Sequence, residues 1–249
     1  TGAALIATTQ MSSENIQTNS DASGPDQVLY LIAQPQCATI GDYIFIVYQE
    51  SGNMRYRYVL CSSVANADAV SAEQNLLNSS DVQVAIDTTY PVFQIDKFSG
   101  ATHSDAIVFA YYAGSNNLKV QYLTASGAVL SMPATVQTIG NIEFLAYDKA
   151  TGPIYSGIFL KCLNDETDGN SYTIIVGATA NDSGTRKVAI VQLKDNLTAK
   201  IEHTLLNTYP NGSTTGNLRL LNGTAGVYTT GNATIGILAG LWAGDGNVG

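Results

Sequence analysis

Asp42-Tyr43-Ile44-Phe45-Ile46-Val47-Tyr48 leads through Ser51-Gly52-Asn53 into Met54-Arg55-Tyr56-Arg57-Tyr58. The pattern returns, altered, as Asp105-Ala106-Ile107-Val108-Phe109-Ala110-Tyr111, then Gly114-Ser115-Asn116, then Asn117-Leu118-Lys119-Val120-Gln121-Tyr122. Each copy is an apolar β-branched and aromatic run, a turn of residues that tolerate positive φ, and a second run. A hairpin recurring after about sixty residues marks a repeated β-unit, such as a propeller blade.

Working outward, the same grammar covers most of the chain. Strands are expected at Val28–Ala33, Gln36–Ile40, Tyr43–Gln49 and Met54–Cys61, then Gln83–Ile86, Pro91–Asp96, Ala106–Tyr112 and Leu118–Thr124. A third group comprises Ile142–Tyr147, Tyr155–Leu163, Tyr172–Ala178, Lys187–Leu193 and Lys200–Leu205. A last group comprises Leu218–Leu221, Gly226–Thr229 and Ala233–Leu238. Ala65–Leu77 is the one stretch that could form a helix, but its apolar period is poor and a long edge loop is the preferred reading. Three units of roughly 50 to 65 residues begin near Gln36, Pro91 and Ile142. Pro35-x-Cys37-x-x-Ile40 aligns with Pro91-x-Phe93-x-Ile95. The fold class expected is all-β, with propeller-like repeats of antiparallel sheets and a small C-terminal β module. Its divisions are an N-terminal arm or connector (1–26), the repeats (27–210) and the C-terminal module or closing blade (211–249).

Composition narrows the partners. Charged residues are 12% of the chain and hydrophobic residues 45%, so the surface must be largely neutral, rich in hydroxyls and amides. The net charge is -9, from 11 basic and 20 acidic residues, and the first cation is Arg55. Nucleic acid is a poor partner for such a chain, because phosphates are held by clustered cations. Membrane insertion is not expected either. The uncharged stretch Leu220–Gly244 is broken by Asn222, Thr224, Thr229, Thr230, Asn232 and Thr234, and its apolar run Ile235–Ala243 is too short to span a bilayer as a helix. With neither signal peptide nor initiator Met, the chain reads as processed or as part of something longer.

Candidate chemistry is thin, and no catalytic, cofactor-binding or metal-ligating residue is singled out. His103 and His203 lie in no recognisable motif and read as surface or strand residues. Asp42, Asp96, Asp105 and Asp148 fall near strand ends in three units, where a propeller glycosidase would carry its carboxylates, but aspartates there are also turn formers. Asn164-Asp165-Glu166-Thr167-Asp168-Gly169-Asn170 has alternating oxygen side chains and a Gly, like a calcium loop, yet Ile175 stands where a twelfth-position Glu belongs. Strand period sets Arg55 and Arg57 on one face and Tyr56 and Tyr58 on the other. Tyrosines there, with Tyr111, Tyr112 and Trp242, could stack on sugars; packing between blades is the preferred reading. Cys37 and Cys61 read as small buried apolar residues, a bridge between them needing facing strands. Cys162 completes an odd set with no metal-ligand spacing. Sequons at Asn78, Asn181, Asn196, Asn211, Asn222 and Asn232 matter only in a eukaryotic secretory setting.

Near the C-terminus, Leu221-Asn222-Gly223-Thr224-Ala225-Gly226-Val227-Tyr228-Thr229-Thr230-Gly231-Asn232, Ala233-Thr234-Ile235-Gly236-Ile237-Leu238-Ala239 and Ala243-Gly244-Asp245 together resemble a terminal module of bacteriophage tail fibres and related virion proteins. The hairpin Asn117–Gly127 looks like blades of propeller domains in such fibres and in secreted bacterial proteins. The resemblance implies a non-enzymatic virion structural or receptor-binding protein at the virion surface, often trimeric. It would contact copies of itself, other virion subunits or a host surface glycan, without a cofactor. No collagen-like or coiled-coil shaft and no chaperone segment accompany it. Two other readings fit the same residues: a secreted, lectin-like carbohydrate-binding propeller, and a propeller glycoside hydrolase.

Overall fold

The computed structural model describes residues 35–50, 52–64, 69–86, 92–100, 102–140, 158–163, 173–182, 185–198, 200–206, 217–227 and 235–244. For 181–182, 185–187, 202–206, 217–227 and 235–244 the description is of the backbone alone. The described residues are all-β. Val28–Ala33 and Ile142–Tyr147 lie outside them.

Sheet 1 runs in chain order: β1 (Gln36–Ile40), β2 (Tyr43–Glu50), β3 (Asn53–Leu60) and the short β4 (Gln74–Asn75), all antiparallel. Gly52, at φ +80°, turns β2 into β3, a conformation in which a side chain would be strained. Sheet 2 contains β6 (Phe93–Phe98), β7 (Ala106–Tyr112), β8 (Leu118–Ser126), β9 (Val129–Met132) and β10 (Val136–Ile139). The long β8 is shared: Leu118–Gln121 pairs with β10 and Thr124–Ser126 with β9. β5 (Leu77–Asn78), from the connection after sheet 1, joins β9 in parallel. Sheet 3 is again a meander in chain order: β11 (Ile158–Cys162), β12 (Ile174–Asp182), β13 (Thr185–Leu193) and β14 (Lys200–Leu206). β15 (Asn217–Val227) and β16 (Ile235–Gly244) form a two-stranded antiparallel sheet, and β15 lies against β11, β12 and β13.

The sheets stack face on face, and alternation along the strands makes the stack. On β7, Ala106, Val108, Ala110 and Tyr112 enter the core shared with sheet 3, while Ile107, Phe109 and Tyr111 enter the core shared with sheet 1. β6 divides the same way, with Val92 just before it and Phe98 toward sheet 3, and Phe93 and Ile95 toward sheet 1. Every residue of β7 is buried, which is why its sequence is a continuous apolar run rather than an alternation. Phe93, Phe98, Phe109, Leu118, Ile107 and Leu123 are all fully buried here. Burying each such side chain contributes about 1.5–3 kcal/mol.

The hairpin repeat is real in space: β2–β3 and β7–β8 are corresponding antiparallel pairs, each preceded by the first strand of its sheet. Three expectations need correction. Gln83–Ile86 is not a strand; Gln83 and Ala85 form isolated bridges. Its alternation is genuine, since Val84 and Ile86 are buried, but its backbone bonds go to Met54, Leu76 and Gly52 along the end of sheet 1. Cys61 is not in a strand, because a 3-10 turn (Cys61–Ser63) starts there. Leu218–Leu221 and Gly226–Thr229 belong to one strand as far as Val227, a register shift between Leu220 and Asn222 absorbing the polar break. The sequence also left β9 and β10 unread; each has four residues, and Pro133 stands between them. Within Ala65–Leu77, residues 69–77 hold no α-helix; they contain β4, the start of β5 and irregular connections.

Candidate functional site

The first strands of the three larger sheets, β1, β6 and β11, lie side by side, and polar side chains tie them together. Gln36 on β1 stands in for a rung of sheet. Its Nε2 donates to the Phe93 carbonyl at 2.8 Å, and its Oε1 accepts from the Ile95 amide at 2.9 Å. On the other side of β6, Asp96 Oδ2 accepts from the Cys162 amide of β11 at 2.7 Å and pairs with Lys161 Nζ at 3.1 Å. Asp105, just before β7, accepts from the Gly41 amide at 2.5 Å and pairs closely with Lys97 Nζ. Lys97 also donates to the Thr39 carbonyl at 2.7 Å. Burial draws the Lys97 ammonium below its ordinary range.

These contacts answer the question of paired carboxylates for the described residues. Asp96 is turned to sheet 3 and Asp105 to sheet 1, so the two are aimed at opposite neighbours. Asp42 occupies the exposed β1–β2 turn, where its carbonyl accepts from the Cys61 amide at 2.8 Å. Asp148 lies outside the described residues, as does the whole calcium-like loop Asn164–Asn170. Among the described residues no group of three His, Cys, Asp or Glu side chains could hold a metal ion.

The Arg-Tyr-Arg-Tyr strand divides as its period requires. Tyr56 is buried in the core with sheet 2, its hydroxyl accepting from the Leu130 amide at 3.2 Å, and Tyr58 packs at the edge of the same core. Tyr111 and Tyr112 are also core residues. Tyr111 stacks on Phe109 at 4.6 Å and donates to Gln121 Oε1 at 2.8 Å; burial pushes its pKa up to about 12. Packing between sheets is therefore the role of these four rings. On the opposite face, Arg55 pairs with Glu50 and Glu73 at 3.4 Å each and donates to Asn75 Oδ1. Arg57 donates to the Ser71 carbonyl at 3.0 Å, and Tyr48 to Glu73 Oε2 at 2.7 Å. Burial, with Glu73 second, raises the Tyr48 pKa to about 12.

His103 lies in the β6–β7 connection with its ring centroid 4.2 Å from that of Tyr122. Burial lowers its pKa from the usual value and Asp195 opposes that shift. Asp195 is 3% exposed, and its main-chain oxygen accepts from the Tyr122 hydroxyl. No sequence signal joined these three residues, which are brought together from two sheets. His203 is on β14 opposite Ile190. Trp242, on β16, is placed opposite Arg219.

The cysteines depart from expectation. Cys37 and Cys61 are exposed free thiols, not buried apolar residues, and they form no bridge. Cys37 sits at an outward position of β1, Cys61 lies past the end of β3, and β2 separates those strands. Cys162 is buried, and its burial pushes the thiol pKa well up. Of the sequons, Asn78 Oδ1 accepts from the Ser80 and Val82 amides at 2.8 and 3.1 Å. Asn196 Oδ1 accepts from the Thr198 amide at 3.0 Å and hydroxyl at 2.6 Å, so both asparagines cap turns. Asn181 and Asn222 lie in β12 and β15, while Asn211 and Asn232 fall outside the described residues.

No protein-family model and no curated protein matches the chain. Among solved structures, the NanB sialidase from Streptococcus pneumoniae in complex with 2-[(3-chlorobenzyl)ammonio]ethanesulfonate aligns at 10% identity and a TM-score of 0.43. The alignment covers 82% of this chain and 27% of the sialidase chain, so the chain spans about a quarter of that protein's length. A likeness of that size carries no inference about chemistry.

Proposed function

We propose that the chain is a non-enzymatic, propeller-like structural or receptor-binding component of a virion surface, of the tail-fibre type. The observation that carries this reading is the use made of Asp96 and Asp105. Asp96 lies on β6 and Asp105 just before β7, near strand ends, where a propeller enzyme would hold its acid and base. Asp96 is instead engaged by Lys161 and the Cys162 amide of sheet 3, and Asp105 by Lys97 of its own sheet and the Gly41 amide of sheet 1. Carboxylates engaged in this way are taken up by structural contacts. The groups that could do chemistry are ties that keep sheets in register. The low charge, the repeated sheets and the C-terminal resemblance support the same assignment. Contacts to copies of itself, to other virion subunits or to a host surface glycan would be made by neutral main-chain and hydroxyl surfaces rather than by charge.

The test is the mass of the particle that contains the chain. Light scattering on the purified protein and protein mass analysis of native particles should give a discrete trimer or a virion component. A glycan array probes the receptor-binding alternative within the same reading. A monomer absent from particles and silent on the array refutes the assignment. A monomer that binds sugars moves it to a lectin-like secreted module.

A further inference from the structure

Two tyrosine hydroxyls are left over from the packing of the sheets. Tyr48, Tyr56, Tyr111, Tyr112 and Tyr122 each have a hydroxyl partner: Glu73, the Leu130 amide, Gln121, the Asn116 amide and the Asp195 carbonyl. The hydroxyls of Tyr43 and Tyr58 have none among the described residues, although both residues are half-buried. A tyrosine hydroxyl in such a place ordinarily finds a partner. The two rings stand together, edge to face, with centroids 5.6 Å apart. Both pack at the margin of the core between sheets 1 and 2. Leu60, opposite Tyr43 on β3, is 40% exposed and carries this apolar wall out to solvent.

Sheet 2 supplies the facing wall. The alternation that turns Phe93 and Ile95 of β6 toward sheet 1 does the same for Lys97, which is paired with Ile107. Asp105, two residues before Ile107, reaches across to the Gly41 amide in the β1–β2 turn and pairs with Lys97. Ala125, at the same end of β8, packs on the margin of the same core. The Lys97 and Asp105 side chains are 34% and 38% exposed, so this end of the intersheet cleft is a wet polar rim beside two aromatic rings.

We propose that this mouth, between Tyr43 and Tyr58 on one side and Lys97 and Asp105 on the other, binds one neutral pyranose ring of a surface glycan. It rests on the receptor-binding half of the function proposed above and gives that half a place. A pyranose has an apolar C–H face and a rim of hydroxyls. The face suits a tyrosine ring, and the hydroxyls suit two phenols that can each donate and accept. Charge selects against acidic sugars. Lys97 is neutralised by Asp105, and the exposed Asp42 of the adjoining turn adds a negative charge.

Titration of the whole chain with the methyl glycosides of glucose, galactose, mannose and N-acetylglucosamine, followed by amide NMR shifts, tests the site. At least one should give saturable shifts, with a Kd on the order of 1 mM, centred on Gly41, Tyr43, Tyr58, Leu60 and Ala125. Tyr43→Phe and Tyr58→Phe keep the rings and remove only the hydroxyls, so the fold should survive. Each should weaken binding by about two- to tenfold, and the double variant by more. Tyr111→Phe, outside the site, should bind like the wild type. Silence with all four sugars overturns the proposal, as does a double variant that binds undiminished. A glucuronide that binds more tightly than the matching glucoside overturns the neutral class. Saturable shifts centred elsewhere sink this site and leave the receptor reading standing. Sugar binding here by a chain absent from virions upholds the site and sinks the virion assignment.

Discussion

Replacing Gln36 by Ala removes two hydrogen bonds that cross from sheet 1 to sheet 2. One is the donor to the Phe93 carbonyl and the other the acceptor for the Ile95 amide. Each such bond contributes about 0.5–1.5 kcal/mol net. The Ile95 amide faces away from its ladder partner on β7 and belongs to a residue only 9% exposed. Leaving it without an acceptor costs about 1–3 kcal/mol if water does not reach it. These figures overlap, because the second includes the loss of one bond, so the expected destabilisation is about 2–3 kcal/mol. Urea unfolding measures it, with Cys37→Ala as the neighbouring control on an exposed side chain, expected within about 0.5 kcal/mol. Hydrogen exchange adds a local reading: the Ile95 amide should lose protection while Gln94, bonded within sheet 2, should not. If Gln36→Ala falls with the control and Ile95 stays protected, the glutamine does not stand in for a rung of sheet.

Three further outcomes follow from the same geometry. Asp96→Ala should cost about 2–3 kcal/mol by urea unfolding and Asp96→Asn about 1, because an amide oxygen still accepts from Cys162 while the Lys161 pair is lost; equal costs would contradict the assigned bonds. Gly177→Ala should destabilise by about 1–3 kcal/mol or more, since the new Cβ would overlap the Phe159 ring, and Phe159→Leu in the same chain should recover part of that loss. Tyr48 and Tyr111, held near 12, should remain un-ionised when exposed tyrosines ionise near 10, as read by phenolate absorbance. Their raised values give stability that is complete below about pH 10 and lost as pH rises toward about 12. Full ionisation near pH 10 with the fold intact would refute their burial.

What the sequence disclosed was periodicity, and what it withheld was partnership. Gln36–Ile40 and Ala106–Tyr112 were readable to the residue, because β-branched and aromatic runs bounded by turn formers have one local solution. The pairing of β5 with β9 was not readable, as two-residue strands carry no period. Cys37 misled because a thiol inside an apolar-looking strand says nothing about which face it takes. Asp96 and Asp105 showed only that carboxylates sit near strand ends. Whether they converge or diverge depends on Lys161, Lys97 and Gly41, the first 65 residues away in the chain from Asp96 and the last 64 from Asp105. The His103–Tyr122–Asp195 contact likewise exists only once sheets 2 and 3 face each other.

The parallel rung between Leu77–Asn78 and Ser131–Met132 has a mechanical meaning. Leu77 leaves sheet 1 yet completes the outer border of sheet 2, so the connection is sewn into its neighbour like a seam allowance. Units that merely touched could melt one after another, as beads on a string do. Here peeling sheet 1 away must also pull a strand from sheet 2, and the Leu130 amide must release Tyr56 as well. Force applied to the chain at residues 35 and 140 would therefore meet one rupture rather than two.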